Sequence, residues 1–325
     1  MGDVAMTVPV LRALTKEYPD LKITVLTKAF FKPFFKDIKN VEVFEANVKG
    51  QHKGVLGLYK LSKALKSLHF DAVADLHNVL RSKVLKLFLG HIQWARIDKG
   101  RNEKKLLIKG KLFKQLKSTH QRYADVFETL GFKLELSQSI DQQKINLKPE
   151  TKSLLTTNTK TIGIAPFAAF KSKAYPLDLM HEVISQLSKT YRVLLFGGGD
   201  TETNKLKTIA SQFDNVTNLA GQLSFEEELN LISNLDLMIA MDSGNAHLAA
   251  MYGVQTITIW GVTHPYAGFS PFGQSIDNAI LADRDTFPKI PTSIYGNKYP
   301  EGYENAIASV HPDQIIKRAK SILGD

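Results

Sequence analysis

The chain has 325 residues, 43% hydrophobic and 23% charged, with 42 Lys and Arg against 32 Asp and Glu, a formal net charge of +10. That size and composition suit a soluble globular protein with two domains of ordinary size. The chain has no cysteine, which excludes disulfides and cysteine metal sites, and no apolar run long enough to span a bilayer, so a cytoplasmic address is expected.

The charge is uneven. Residues 1–150 carry 28 Lys and Arg against 15 Asp and Glu, and residues 151–325 carry 14 against 17. A basic half can meet nucleic acid, an anionic membrane surface or an anionic soluble substrate, or be a solvated lysine-rich surface. Lys104, Lys105, Lys109, Lys111, Lys114 and Lys117 alternate with Leu106, Leu107, Ile108, Leu112 and Phe113. Basic residues mixed with apolar ones that look exposed suit a peripheral membrane contact better than a DNA groove. The aromatic and glycine signatures of an RNA module are missing, so no nucleic-acid partner is expected.

In chain order, Val8–Tyr18 has helical spacing, with Pro9 near its start, where proline is tolerated. Lys22–Leu26 and Val41–Phe44 read as strands and Tyr59–Leu68 as an amphipathic helix. Phe70–Asp75 is a short apolar strand, Leu76–Leu89 resumes helical spacing, and Tyr123–Leu130 is a helix stopped by Gly131. A polar segment, residues 137–158, precedes a second series. There Thr161–Ala165, Arg192–Phe196, Val216–Asn218, Leu235–Ala240 and Val254–Trp260 are strands. Asp178–Thr190, Thr203–Phe213, Ser224–Asn234, Ala246–Met251 and Pro312–Leu323 are helices, and Ser224 with Glu227 forms a capping box. This alternation predicts an α/β protein with parallel sheets. It divides into two doubly wound, Rossmann-like domains, residues 1–150 and 151–325, facing a cleft that is the expected ligand site.

Three strand-end turns of the second series carry candidate site residues. Lys171 and Lys173 lie in the first; each is either a phosphate-binding point charge or a surface lysine. Gly197-Gly198-Gly199 permits close backbone approach to a ligand or only a tight turn. Glu202 beyond it either accepts from ribose hydroxyls or complements a helix N-terminus. The third turn, Asp242-Ser243-Gly244, leads into the helix holding His247, where free N–H groups and the helix dipole favour phosphate. Asp242 also reads as a cap and His247 as a structural residue. In the first half, Asp3 beside Gly2 reads as a general base or as a cap. No His, Asp and Glu grouping has metal-ligand spacing, so no metal and no cofactor is expected.

Taken together, these segments resemble glycosyltransferase family 9, the ADP-heptose:lipopolysaccharide heptosyltransferases. The resemblance rests on GDVAMTVPVLRAL from Gly2, FDAVADLHNVLRSK from Phe70, GIAPFAAFKSKAYP from Gly163 and LFGGGDTE from Leu195. It continues in the long block Leu219–Ala250, which ends in the Asp-Ser-Gly-Asn-Ala-His turn, and in TIWGVT from Thr258. The family implies GT-B architecture, with a closing helix that often packs back on the first domain. It also implies metal-independent transfer of a sugar from a nucleotide diphosphate, with inversion. The donor would be ADP-heptose and the acceptor an anionic, lipid-linked saccharide of the lipopolysaccharide core, at the inner face of the cytoplasmic membrane.

By the same resemblance Asp3 is the base, Lys173 holds the diphosphate with Lys171 nearby, and Ser243 and Gly244 donate backbone N–H groups. Asp242 and His247 shape that turn, and Glu202 with Gly198 meets the nucleoside. The chain departs from the family where an apolar first strand normally precedes the Gly-Asp pair. The expectation is either an upstream start or a first sheet lacking a central strand, and the alternative function is an inactive GT-B binding or scaffold protein. Tyr175, where the family usually has Trp, and Phe167-Ala168-Ala169 leave the donor sugar open.

Overall fold

The structure is a computed structural model and describes residues 1–138, 140–155 and 158–324. Two compact units result, one made of Asp3–Arg101 and Lys117–Leu136, the other of Asn102–Leu116 and the chain from Ser137 onward.

The first unit runs α1 (Gly2–Ala5), α2 (Thr7–Glu17), β1 (Ile23–Thr27), β2 (Val41–Glu45), α3 (Gly54–Lys66), β3 (Ala72–Asp75), α4 (Leu80–Phe88) and β4 (Gln93–Arg96). Next comes α5 (Arg101–Ile108), which belongs to the second unit from Asn102 on, and then α6 (Thr119–Thr129). Strands β1 and β2 form one parallel pair, with Ile23 opposite Val41, and β3 and β4 form another, with Ala72 opposite Gln93. The two pairs are separate two-stranded sheets. Helix α4 starts later than its apolar spacing predicts, because the Asp75 carboxylate accepts from the N–H groups of His77 (3.1 Å) and Asn78 (2.7 Å). Asn78 takes a positive φ of 44°. This Asx-type turn holds residues 75–79 out of the helix. Inside the unit, Leu58, Leu61 and Leu65 of α3 pack with Leu85 and Leu89, in and just after α4.

The second unit continues with α7 (Pro149–Lys152), β5 (Thr161–Ala165), α8 (Leu177–Leu187), β6 (Arg192–Leu195), α9 (Gly199–Ala210), β7 (Val216–Asn218) and α10 (Phe225–Ile232). It closes with β8 (Leu237–Met241), α11 (Gly244–Ala250), β9 (Thr256–Trp260), β10 (Ala279–Leu281) and α12 (Pro312–Leu323). Six parallel strands form one sheet in the order β10-β9-β8-β5-β6-β7. Every residue of β5, β8 and β9 is buried. That is why they read as unbroken apolar runs rather than alternating ones.

Met180, Ile184 and Leu187 of α8 and Ile315 and Ala319 of α12 complete the core on this sheet. Helix α12 contacts α8, β8 and β9, so its apolar face is committed to the second unit. The capping box forms as read: Ser224 Oγ accepts from the Glu227 N–H, and Glu227 Oε2 accepts from the Ser224 N–H.

The lysine-rich segment differs from its reading. Leu107 (1% exposed) and Leu116 (4%) turn inward and join Ala267 in a cluster with Leu112, Tyr266 and Phe269. The Leu116 N–H donates to the Tyr266 carbonyl at 3.0 Å. Lys104 is buried with its ammonium 4.1 Å from the Phe269 ring centre, and Arg284 lies 3.6 Å over Phe113. The apolar residues expected at the surface are therefore mostly an anchor into the second unit, a packing that period and charge do not encode.

Candidate active site

A doubly wound sheet places ligands where its strand order reverses. Here that point lies between β5 and β8. The chain moves from β5 outward to β6 and β7, then returns to β8 on the other side. The turns after β5, β6 and β8 hold the three predicted groups, and these strands are parallel neighbours, so the turns leave the same edge of the sheet.

Lys173 and Asp242 meet at the switch point. The lysine ends a short 3₁₀ turn, Lys171–Lys173, and its ammonium lies 2.9 Å from Asp242 Oδ2. The two side chains are 15% and 9% exposed. The same carboxylate oxygen accepts from Thr263 Oγ at 2.8 Å, just beyond β9. Asp242 is thus an anchor for the lysine rather than the cap that its position suggests. Lys171 is exposed at the start of the turn.

Beneath Lys173 the chain reaches Gly296, in a left-handed conformation with φ of 83°. A Cβ there would lie 2.5 Å from Lys173 Cδ, so glycine leaves the space that the lysine stem fills. Ser172 Oγ donates to the Gly296 carbonyl and fixes this approach. Gly261, directly after β9, has the same kind of constraint, since a Cβ would collide with the Ser172 carbonyl.

Ser243 is the N-cap residue of α11, but its side chain makes no capping bond. Its Oγ is buried and, among the described residues, has no hydrogen-bond partner. A buried hydroxyl beside a lysine–carboxylate pair, at a turn with free helix N–H groups, is an arrangement suited to an anionic ligand. Gly244 opens α11, and His247 lies buried within it.

At the β6 turn, Glu202 Oε2 accepts from the Gly198 N–H at 2.9 Å, which realises the helix-terminus reading of this carboxylate. Of the three glycines, Gly199 needs its positive φ of 76°, and a Cβ on Gly197 would press on Leu206, Glu202 and Phe167. Gly198 has extended backbone, and a Cβ there would meet nothing within 4 Å. The space over Gly198 is open to a ligand.

Tyr175 is committed to the core of the second unit. It is buried, its hydroxyl donates to the Val310 carbonyl at 2.7 Å, and burial pushes the phenol up from its ordinary value.

In the first unit Asp3 lies within the first turn of α1 with its side chain exposed, and its carbonyl accepts from the Tyr123 hydroxyl at 3.3 Å. His77, in the turn after β3, feels the same carboxylate. Desolvation first, then Lys99, holds its imidazole below the ordinary value, and Asp3 and Asp75 oppose that shift. Among the described residues no three His, Asp or Glu side chains converge to hold a metal ion.

Sequence reasoning missed Thr263 and Gly296. Thr263 closes the TIWGVT segment, but nothing local marks its hydroxyl as a partner of a carboxylate in another turn. Gly296 lies in a loop region with no periodicity, and only its left-handed backbone reveals its role.

The fold is that of a GT-B glycosyltransferase, an enzyme that moves a sugar from an activated donor. A family 9 glycosyl transferase from Veillonella parvula DSM 2008 superposes with a TM-score of 0.76 at 19% identity, covering 99% of this chain and 94% of that one. The E. coli heptosyltransferase WaaC with ADP superposes with a TM-score of 0.69 at 18% identity, over 99% and 97% of the two chains. The sequence profile of glycosyltransferase family 9 (heptosyltransferase) matches residues 58–292, and the chain belongs to that family. Lipooligosaccharide heptosyltransferase 2 of Campylobacter jejuni is 24% identical over 99% of this chain and 95% of its own length.

Proposed function

We propose that this enzyme transfers a heptose from ADP-heptose to a lipid-linked saccharide of the lipopolysaccharide core, with inversion and without a metal. The observation that carries this reading is the near-buried Lys173–Asp242–Thr263 group at the sheet's switch point, beside an unpartnered Ser243 hydroxyl. The donor's diphosphate would bind there, against Lys173 with Lys171 nearby and the N–H groups at Ser243 and Gly244. Asp242 and His247 would hold the shape of the turn. Glu202 has a second carboxylate oxygen to offer a ribose hydroxyl, and the open face of Gly198 gives the nucleoside room.

In the transfer step, an acceptor hydroxyl oxygen attacks the anomeric carbon as the bond from that carbon to the diphosphate oxygen breaks. The electron pair leaves with the diphosphate, whose growing charge Lys173 offsets, and the hydroxyl proton passes to the Asp3 carboxylate.

The test pairs two variants. Lys173→Ala should weaken ADP binding by at least about tenfold in calorimetry, the scale of one lost charge-assisted contact. Asp3→Asn should bind ADP normally and lose turnover, with transfer by the wild type unaffected by EDTA. Unchanged ADP affinity in the first variant, or retained turnover in the second, removes the corresponding role. The second reading is a donor-binding protein without turnover. Wild-type protein that binds ADP-heptose yet neither transfers nor hydrolyses it would establish that reading.

A further inference from the structure

The four most exposed large apolar side chains among the described residues lie on two packed helices of the first unit. They are Leu87 (80% exposed), Leu56 (79%), Leu80 (77%) and Val55 (61%). Tyr59, 45% exposed, joins them, and its ring meets that of Phe88 at 5.4 Å, bringing the outer surfaces of α3 and α4 together.

These residues repeat at helical spacing. Leu56, Tyr59, Lys60 and Lys63 share one stripe of α3, and Leu80, Lys83 and Leu87 share one stripe of α4. The inward faces are already occupied by the leucine cluster. The outward stripes are therefore a second apolar surface, and core packing does not account for it.

Charge decides what covers it. Neither α3 nor α4 contains an Asp or Glu, and all their Lys and Arg side chains are exposed. A second copy of so basic a face would be repelled. Leucine and tyrosine flanked only by long cationic side chains are the pattern of a surface that enters the headgroup layer, with apolar groups below and ammonium groups at the phosphates. The Lys63 ammonium over the Tyr59 ring, 4.8 Å from its centre, already sets that amphipathic pairing.

We infer that the outer face of α3 and α4 docks this enzyme on an anionic phospholipid bilayer. Leu80 directly follows the turn whose His77 feels the Asp3 carboxylate. Docking here brings the proposed base toward the layer where a lipid-linked acceptor resides. In this the inference deepens the proposed function and rests on it for its biological sense.

The test is co-sedimentation of the full chain with vesicles containing about 30% phosphatidylglycerol, against vesicles of phosphatidylcholine alone. Wild type should pellet with the anionic vesicles only, and raising salt to about 0.5 M should release it. Leu56→Ser combined with Leu87→Ser should lower partitioning by about tenfold or more, with melting temperature and ADP affinity unchanged. Leu106→Ser with Phe113→Ser, on the lysine-rich anchor of the second unit, should bind vesicles like wild type.

Equal partitioning of the Leu56/Leu87 variant, binding to phosphatidylcholine alone, or loss only in the Leu106/Phe113 variant overturns the inference. So does a wild-type dimer or RNA complex that the Leu56/Leu87 variant abolishes. Because vesicle binding is read without turnover, its failure is distinct from failure of the proposed chemistry, which ADP binding and transfer to a detergent-dispersed acceptor report.

Discussion

Replacing Asp242 by Asn probes the heart of the proposed donor site with little change in side-chain volume. The Lys173 ammonium lies 2.9 Å from Asp242 Oδ2, and the two side chains are 15% and 9% exposed. Asparagine keeps an oxygen for the Thr263 hydroxyl but removes the charge that holds the lysine. Breaking one side of a buried ion pair costs about 3–5 kcal/mol, because the remaining charge is left uncompensated. Lys173 retains some contact with water, so the lower end, about 3 kcal/mol, is expected.

The assay is urea unfolding followed by Trp260, which is 1% exposed in the second unit, in a Trp94→Phe background that silences the other tryptophan. Saturating ADP supplies a replacement anion. At about a hundredfold excess over its Kd a ligand stabilises by about 2.7 kcal/mol, and ADP should stabilise Asp242→Asn more than wild type. A loss below about 1 kcal/mol, or equal ADP stabilisation of both proteins, refutes the argument that this carboxylate is the lysine's counter-ion.

Two pH effects of opposite sign follow from a buried histidine and a half-buried glutamate. Burial, then the Arg284 guanidinium, pushes His264 down to about 4. The unfolded chain therefore takes up a proton below about pH 6.5 that the folded chain refuses, and the stability present above that pH falls by about 1.4 kcal/mol per unit toward pH 4. His264→Asn, which keeps an acceptor for the Tyr266 N–H, should flatten that part of the melting-temperature profile; an unchanged acid slope removes His264 as its source. Burial pushes Glu228 up to about 7, so its contribution is complete below about pH 4.5 and is lost as pH rises through 7. Glu228→Gln should stabilise the protein by about 2 kcal/mol at pH 8 and by almost nothing at pH 4, and equal effects at both pH values would count against a proton retained there.

Much of the second unit was legible because its strands are buried on both faces and its helices carry ordinary stop and start signals. Ile162 and Ile164 of β5 belong to the core, while Ser224 and Glu227 cap α10 with each other's side chains. Short range suffices for such features. Strand β4, with its sequence Gln-Trp-Ala-Arg, has too little apolar pattern to stand out from a loop. Strand β10 has three residues and exists through its pairing with β9. The late start of α4 depended on a carboxylate choosing backbone N–H groups over solvent, which periodicity does not report.

The site residues divide along the same line. Most candidates of the second unit were visible as polar breaks after apolar runs, because a strand that ends at the sheet edge must hand its chain to a turn. What each break does depends on which strand lies next to it. Asp242 looks like a helix cap when read with its own helix. Beside β5 it faces Lys173, and beside β9 it meets Thr263, so its role is set by the strand order rather than by its neighbours in sequence. Glu202 is the converse case, since its partner, Gly198, is four residues away and the contact lies within one turn. Contacts confined to one turn can be read from a sequence, whereas those that join turns wait on topology. The proposed phosphate site at the switch point is assembled from the second kind, so Lys173 and Asp242 can each be nominated in advance while their pairing, and the parts played by Thr263 and Gly296, cannot.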